Sequence, residues 1–150
     1  MKPLIVGMNN PYSEDPRYAL YPHPERSAGF RLYLMLKEAG HREAVSISKL
    51  NYAERFDRVN VVAGEPYSKS AAKRERPKVL ELMRDRLTII CGAGTARDLE
   101  LFYGGFTLEK NVVGPYSYYV IPHPSGRTRD YNSSEMRARV GELLLSLYKD

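Results

Sequence analysis

Short apolar runs alternate with stretches of helical periodicity along this chain, and that alternation limits the folds open to it more than any other feature. Pro3 to Met8 is apolar, short and stopped by Asn9-Asn10-Pro11, which reads as a buried strand. Ser27 suits the N-cap of a helix running to Gly40, with Phe30, Tyr33, Leu34, Met35, Leu36 and Ala39 at helical spacing. Val45 and Ile47 alternate with Ser46 and Ser48, which fits a short edge strand or extended segment between Ala44 and Leu50. Asp57 to Ala63 is a second strand with Asn60 inside it, and a polar residue there needs a partner for its amide.

The basic stretch from Ser68 to Arg76 leads to Pro77, a residue suited to the first turn of a helix that buries Val79, Leu80, Leu82 and Met83. Leu87 to Cys91 is the third strand, and Gly92 and Gly94 open a helix carrying Ala96, Leu99 and Leu101. Phe106 to Leu108 adds a short strand or turn, Tyr116 to Ile121 the last strand, and Ser134 to Tyr148 a final amphipathic helix. Strands alternating with helices predict an α/β fold of three layers, α/β/α, around a central, mostly parallel four-stranded sheet. At 150 residues the whole chain, 1–150, is expected to form one domain.

Composition removes several classes of function. No apolar run approaches the ~18 residues of a membrane span, and the opening apolar stretch is too short for a signal peptide. A soluble protein of the cytoplasm, or of the nucleus in a eukaryotic host, is expected, and a monomer. The lone Cys91 rules out an internal disulfide and any all-cysteine zinc or iron–sulfur site; it reads as a small buried hydrophobe. His23, His41 and His123 lack metal-type spacing, so neither metal nor cofactor is expected. Gly92-Ala93-Gly94-Thr95-Ala96-Arg97 has no third glycine and does not follow the first strand, which makes it a tight strand-to-helix turn rather than a dinucleotide fingerprint. The formal charge of +5 is compatible with a polyanionic partner. Basic residues cluster in Lys69 to Arg86 and again at Arg127, Arg129, Arg137 and Arg139; taken singly, each cluster reads as a solvated helix face.

Chemistry gathers where strands end. From Asn9 to Pro24 a long loop with four prolines and three tyrosines is predicted, a length that in a compact domain usually serves function. In an open parallel sheet, loops at the carboxyl ends of strands face one crevice, so Asn9 and His123 are expected to meet over one ligand.

Gly7-Met8-Asn9, followed by Pro11 and Tyr12, resembles the first active-site motif of the uracil-DNA glycosylase superfamily, which varies around Gly-Gln-Asp-Pro-Tyr, Gly-Ile-Asn-Pro-Gly and Gly-Met-Asn-Pro-Gly. His123-Pro124-Ser125-Gly126-Arg127 resembles its second motif, of the type His-Pro-Ser-Pro or Asn-Pro-Ser-Gly. Asn in the first motif with His in the second is most similar to the single-strand-selective monofunctional branch, while Ser125-Gly126 and the earlier His23-Pro24 resemble the mismatch-specific branch. Phe56 to Val61 is similar to the superfamily strand that ends near a base-reading asparagine, and Leu87 to Gly94 to its Leu-Leu-x-Gly strand and turn.

The resemblance implies a monofunctional DNA glycosylase that flips uracil or a modified pyrimidine out of single- or double-stranded DNA and hydrolyses its N-glycosidic bond. Asn9 would orient the water and a neutral His123 would hydrogen-bond the departing base. Asn60 would read the base edge, and Tyr12, Tyr21 or Phe30 would stack on the base. Ser125, Gly126, Arg127 and Arg129 would hold phosphates. An extra residue, Asn10, stands between Asn9 and Pro11, so either asparagine could hold the catalytic position; the distance from Gly7 favours Asn9. The apolar wedge usual after the second motif is replaced by Arg127-Thr128-Arg129-Asp130-Tyr131, where Arg127 or Tyr131 could wedge. These departures motivate the alternatives: a weak or inactive relative that binds DNA or a nucleobase, or a hydrolase of free nucleosides or nucleotides.

Overall fold

A computed structural model describes residues 1–125 and 129–150. Its elements follow in the order β1 (Leu4–Asn10), α1 (Ala28–Arg42), α2 (Lys49–Arg55), β2 (Asp57–Ala63), α3 (Lys69–Met83), β3 (Leu87–Cys91), α4 (Ala93–Asp98), β4 (Asn111–Val113), β5 (Tyr116–Ile121) and α5 (Ser134–Lys149), with short 3-10 turns at Pro16–Tyr18 and Asp130–Asn132. The sheet has five strands in the order β2-β1-β3-β5-β4, and every pair is parallel except β4 with β5. It is therefore a mixed, mostly parallel sheet with one strand more than the four expected.

Helices cover both faces. Ile5, Ile89, Cys91 and Ile121 pack against α1, α2 and α5. Leu4, Val6, Ile90, Tyr118 and Val120 pack against α3 and α4. Alternate residues of each central strand thus enter opposite cores, as expected of a sheet buried on both sides. Among the described residues, no helix is long and apolar enough to cross a membrane.

Several local expectations are corrected. The first strand runs on past Met8, so Asn9 and Asn10 lie in β1, paired with Val62 and Ala63, rather than in the loop. Residues 44–50 form no strand. Ser48 and Asn51 close a reciprocal cap, the Ser48 hydroxyl accepting from the Asn51 N–H at 3.0 Å and the Asn51 Oδ1 accepting from the Ser48 N–H at 3.0 Å. That cap starts α2, whose end is anchored by buried Tyr52 and Phe56. Gly40 does not stop α1; it lies in the helix, where a Cβ would come within 2.8 Å of Ile47 Cδ1 and Val45 O.

The helix expected from Pro77 begins eight residues earlier. The Ser68 hydroxyl caps the Ala71 N–H at 3.0 Å, and buried Ala71 and Ala72 attach the basic stretch to the sheet, so Pro77 sits inside α3. Phe106 to Leu108 is irregular, and the short strand falls at β4 instead, folded back on β5 through Gly114 at φ +57°.

Candidate active site

The parallel strands β2, β1, β3 and β5 end on one edge of the sheet, with β2 and β5 outermost, and in such sheets a crevice for ligands lies beyond that edge. Three intervals of ~4.8 Å between neighbouring strands give it a width of about 14 Å.

On the β2 flank, Asn60 is 8% exposed and its side chain lies over β1. Gly7 makes this possible: a Cβ there would lie 2.4 Å from Asn60 Oδ1 and 3.0 Å from the Leu20 side chain. Among the described residues the Asn60 amide takes no hydrogen-bond partner, so one donor face and one acceptor face remain for a ligand. Asn60 also borders the groove along β2, so water meets its amide until a ligand of matching donor and acceptor pattern replaces it.

Asn9 and Asn10 divide their work. The Asn9 Nδ2 donates to the Glu65 carbonyl at 2.8 Å, which anchors the amide nitrogen; Oδ1 takes no partner among the described residues. Asn10 Oδ1 instead accepts from the Tyr12 N–H at 3.1 Å, an Asx-type turn that ends the strand. Side chains two apart share a face of a strand, which places Asn9, and not Asn10, on the side of Gly7.

On the other flank, His123 follows β5 by two residues. Its Nδ1 accepts from the Ser125 N–H at 3.1 Å. Burial holds the imidazole below the usual histidine range, so at neutral pH the ring is uncharged. A neutral ring whose Nδ1 accepts carries its proton on Nε2. The ring lies against Gly92, whose φ of +101° makes the β3-to-α4 turn and whose missing Cβ would stand 3.4 Å from His123 Cβ. The Gly92 N–H donates to Ile121 O at 2.8 Å and ties the two strand exits together. Tyr131 donates its hydroxyl to Pro122 O at 2.6 Å, fixing the backbone next to His123.

Other expected site residues are placed differently. Tyr12 is 94% exposed and covers nothing. Tyr21 stands edge-on to Tyr18 at 6.0 Å, with the Arg58 guanidinium 5.7 Å from its ring. Phe30, in the first turn of α1, packs near Tyr33 at 6.2 Å beneath the Lys49 ammonium at 5.2 Å. None of the three rings is stacked over the crevice floor at Gly7. The Ser125 N–H, expected on a phosphate, is turned inward to His123. Gly126 and Arg127 lie outside the described residues. Arg129 is exposed at the start of the turn Asp130–Asn132. Tyr131, offered as a wedge, is committed through its hydroxyl to Pro122 O and packs on the α1–α5 core.

Sequence reasoning missed Leu20, the Glu65 carbonyl and the role of Gly92. For the last two a signal existed: Gly64 and Pro66 bracket Glu65, and Gly92 was legible as a turn. Cys91 is fully buried, its thiol pushed up to about 12, and so is not a nucleophile. Among the described residues, no three potential ligands converge on a metal site. A groove of about 740 Å³ runs along the outer edge of β2 and is reached by Asn10 and Asn60 but not by Asn9 or His123. No protein-family model matches the chain, and no curated protein matches it.

Proposed function

We propose that the chain is a monofunctional DNA glycosylase of the uracil-DNA glycosylase type, acting on uracil or a modified pyrimidine in DNA. The observation that carries this reading is the hydrogen bond from the Ser125 N–H to His123 Nδ1, which leaves an uncharged Nε2–H donor at the crevice. A neutral donor suits a leaving base that gains negative charge, because it stabilises that charge without first binding it as an ion pair.

In the reaction, the oxygen of a water bonds to the sugar C1′ while the C1′–N bond breaks and its electron pair leaves with the base. The Oδ1 of Asn9 accepts a hydrogen bond from that water and aims it; an amide does not titrate here, so the water's proton passes to solvent. His123 Nε2–H donates to the base oxygen as charge collects there. The departing anion then takes a proton from solvent and leaves as the neutral base. Asn60, with donor and acceptor side by side, pairs with the imide edge of the flipped base.

The test is release of base from oligonucleotides carrying uracil or 5-hydroxymethyluracil, scored as alkali-labile abasic sites. Wild-type protein is expected to produce them, and Asn9→Ala and His123→Ala are expected to abolish or nearly abolish them. Tight binding with no release from any substrate would sink the reading. A binding-only protein is the second reading, and the position of Tyr12, 94% exposed instead of stacked in the site, is the observation that favours it.

A further inference from the structure

Most of the excess charge of this chain sits on α3 and its C-cap Arg84. From Lys69 to Arg84 there are six basic and two acidic residues, a net +4 of the chain's +5. Arg74 is paired with Glu65 and Glu75, and Arg76 with Glu100 and the Leu99 carbonyl. Lys69 and Lys73, four residues apart and so on one helix face, are exposed and have no ion-pair partner among the described residues. On α4 of the same layer, Arg97 is also exposed and without a carboxylate; its guanidinium lies 5.5 Å from the Tyr103 ring. The carboxylates around them are already engaged: Glu65 and Glu75 by Arg74, Glu100 by Arg76, and Asp98 by the Tyr67 hydroxyl, which donates to it.

The helices that carry these three cations are tied to the candidate site residues at their leading ends. The segment leading into α3 touches Asn9 through the Glu65 carbonyl. The turn leading into α4 touches His123 through Gly92. The Tyr67–Asp98 hydrogen bond and the Arg76 contact to Leu99 O at 2.7 Å lock α3 against α4. Three cations without ion pairs among the described residues thus stand on two helices that are tied to each other and to the segments holding Asn9 and His123.

We infer that Lys69, Lys73 and Arg97 bind the backbone phosphates of the DNA strand that flanks the extruded nucleotide. This rests on the glycosylase reading for the identity of the strand. Lys69 and Lys73 are separated by about 6 Å along the helix, close to two phosphates at ~3.4 Å of axis each. Binding there releases counterions, so affinity falls steeply with salt.

The experiment measures dissociation of a fluorescent single-stranded oligonucleotide containing uracil against salt concentration, for wild type, for K69Q/K73Q, and for K69Q/K73Q/R97Q. A charge-matched control, K2Q/K37Q/R42Q, removes three exposed cations elsewhere. At ~0.7 in slope per lost contact, the double variant is expected to lose about 1.4 and the triple about 2 from the magnitude of the salt slope, with the control unchanged. An unchanged slope in the α3–α4 variants, or an equal fall in the control, would overturn the inference. Base release is scored on the same samples at saturating protein. Slopes that change as expected with no release from wild type would leave the DNA track standing and remove the catalytic reading. Release with unchanged slopes would do the reverse.

Discussion

On the β2 flank of the crevice, Asn60 keeps its amide free of partners among the described residues over the bare Cα of Gly7, whereas on the β5 flank His123 has one ring nitrogen fixed by the Ser125 N–H and its charge removed by burial. One flank leaves hydrogen-bonding capacity unmet; the other sets a proton's location in advance. Unmet capacity selects a ligand, because only a group of matching donor and acceptor pattern satisfies it. A preset proton serves charge that develops later, because no reorganisation is needed when the bond breaks. Under the proposed function, recognition would fall to β2 and leaving-group stabilisation to β5, and substitutions on each flank should separate affinity from rate.

The largest effect is expected at His123. His123→Ala removes the donor to the leaving base and should lower kcat by roughly 10²–10³-fold, about 3 to 4 kcal/mol, with little change in substrate affinity. Single-turnover base release together with equilibrium binding measures both. A loss confined to affinity would erase the division between the flanks.

Gly7→Ala probes the opposite flank without removing a polar group. The new methyl would stand 2.4 Å from Asn60 Oδ1, the end of a movable side chain that can swing aside, and 3.0 Å from Leu20 Cγ and Cδ2, which must give by a few tenths of an ångström, while the sheet stays intact. Stability should change by no more than about 1 kcal/mol, the smaller unfolded-state entropy offsetting part of the crowding. Affinity for the base-containing strand should fall by roughly 10- to 100-fold, equivalent to one bidentate contact at ~1 to 3 kcal/mol. A large drop in melting temperature with unchanged affinity would show that Gly7 serves packing alone.

What could be read in advance follows the same line between local and distant causes. β2, β3 and β5 were legible because short apolar runs bounded by turn residues specify buried strands with little help. β4 was not: its three residues are exposed or half-exposed, and only pairing with β5 makes them a strand. The segment before α2 alternates like a strand, but the Ser48–Asn51 cap and the anchors Tyr52 and Phe56 decide for helix. The site divides likewise. Asn60 drew attention as a polar residue within an apolar strand, and Asn9 and His123 as candidates through the motif resemblance. The tautomer of His123 depends on an N–H two residues on, and the anchoring of Asn9 on a carbonyl 56 residues away, neither of which a composition or a period encodes.

Acidification should affect the β5 flank before the β2 flank, since Asn60 does not titrate. Burial depresses the folded pKa of His123 below the unfolded value of about 6.5. Base release should therefore be flat above pH 6.5 and fall only at lower pH, as the ring takes a second proton. Stability follows the same sign: as pH falls the unfolded chain binds the proton first, so the contribution of the neutral buried ring is complete above about 6.5 and is lost through the folded pKa. Melting temperatures of wild type and His123→Gln between pH 5 and 8 check this. The wild-type curve should drop on the acid side more than that of the variant, and parallel curves would show that His123 is not the group responsible.

The smallest effect is expected at Asn10, and it decides which asparagine the first motif uses. Asn10→Ala removes one hydrogen bond to the Tyr12 N–H at an exposed turn, where water replaces it, so stability should fall by only about 0.5 to 1 kcal/mol. Base release should stay within a few-fold of wild type, because the Asn9 amide remains anchored to the Glu65 carbonyl with Oδ1 facing away from that bond. Asn9→Ala, by contrast, removes the water's acceptor and should reduce release far more than it reduces stability. Were Asn10→Ala the inactive variant and Asn9→Ala the active one, the turn at Tyr12 would have to rearrange when DNA binds, bringing Asn10 round to the position assigned here to Asn9.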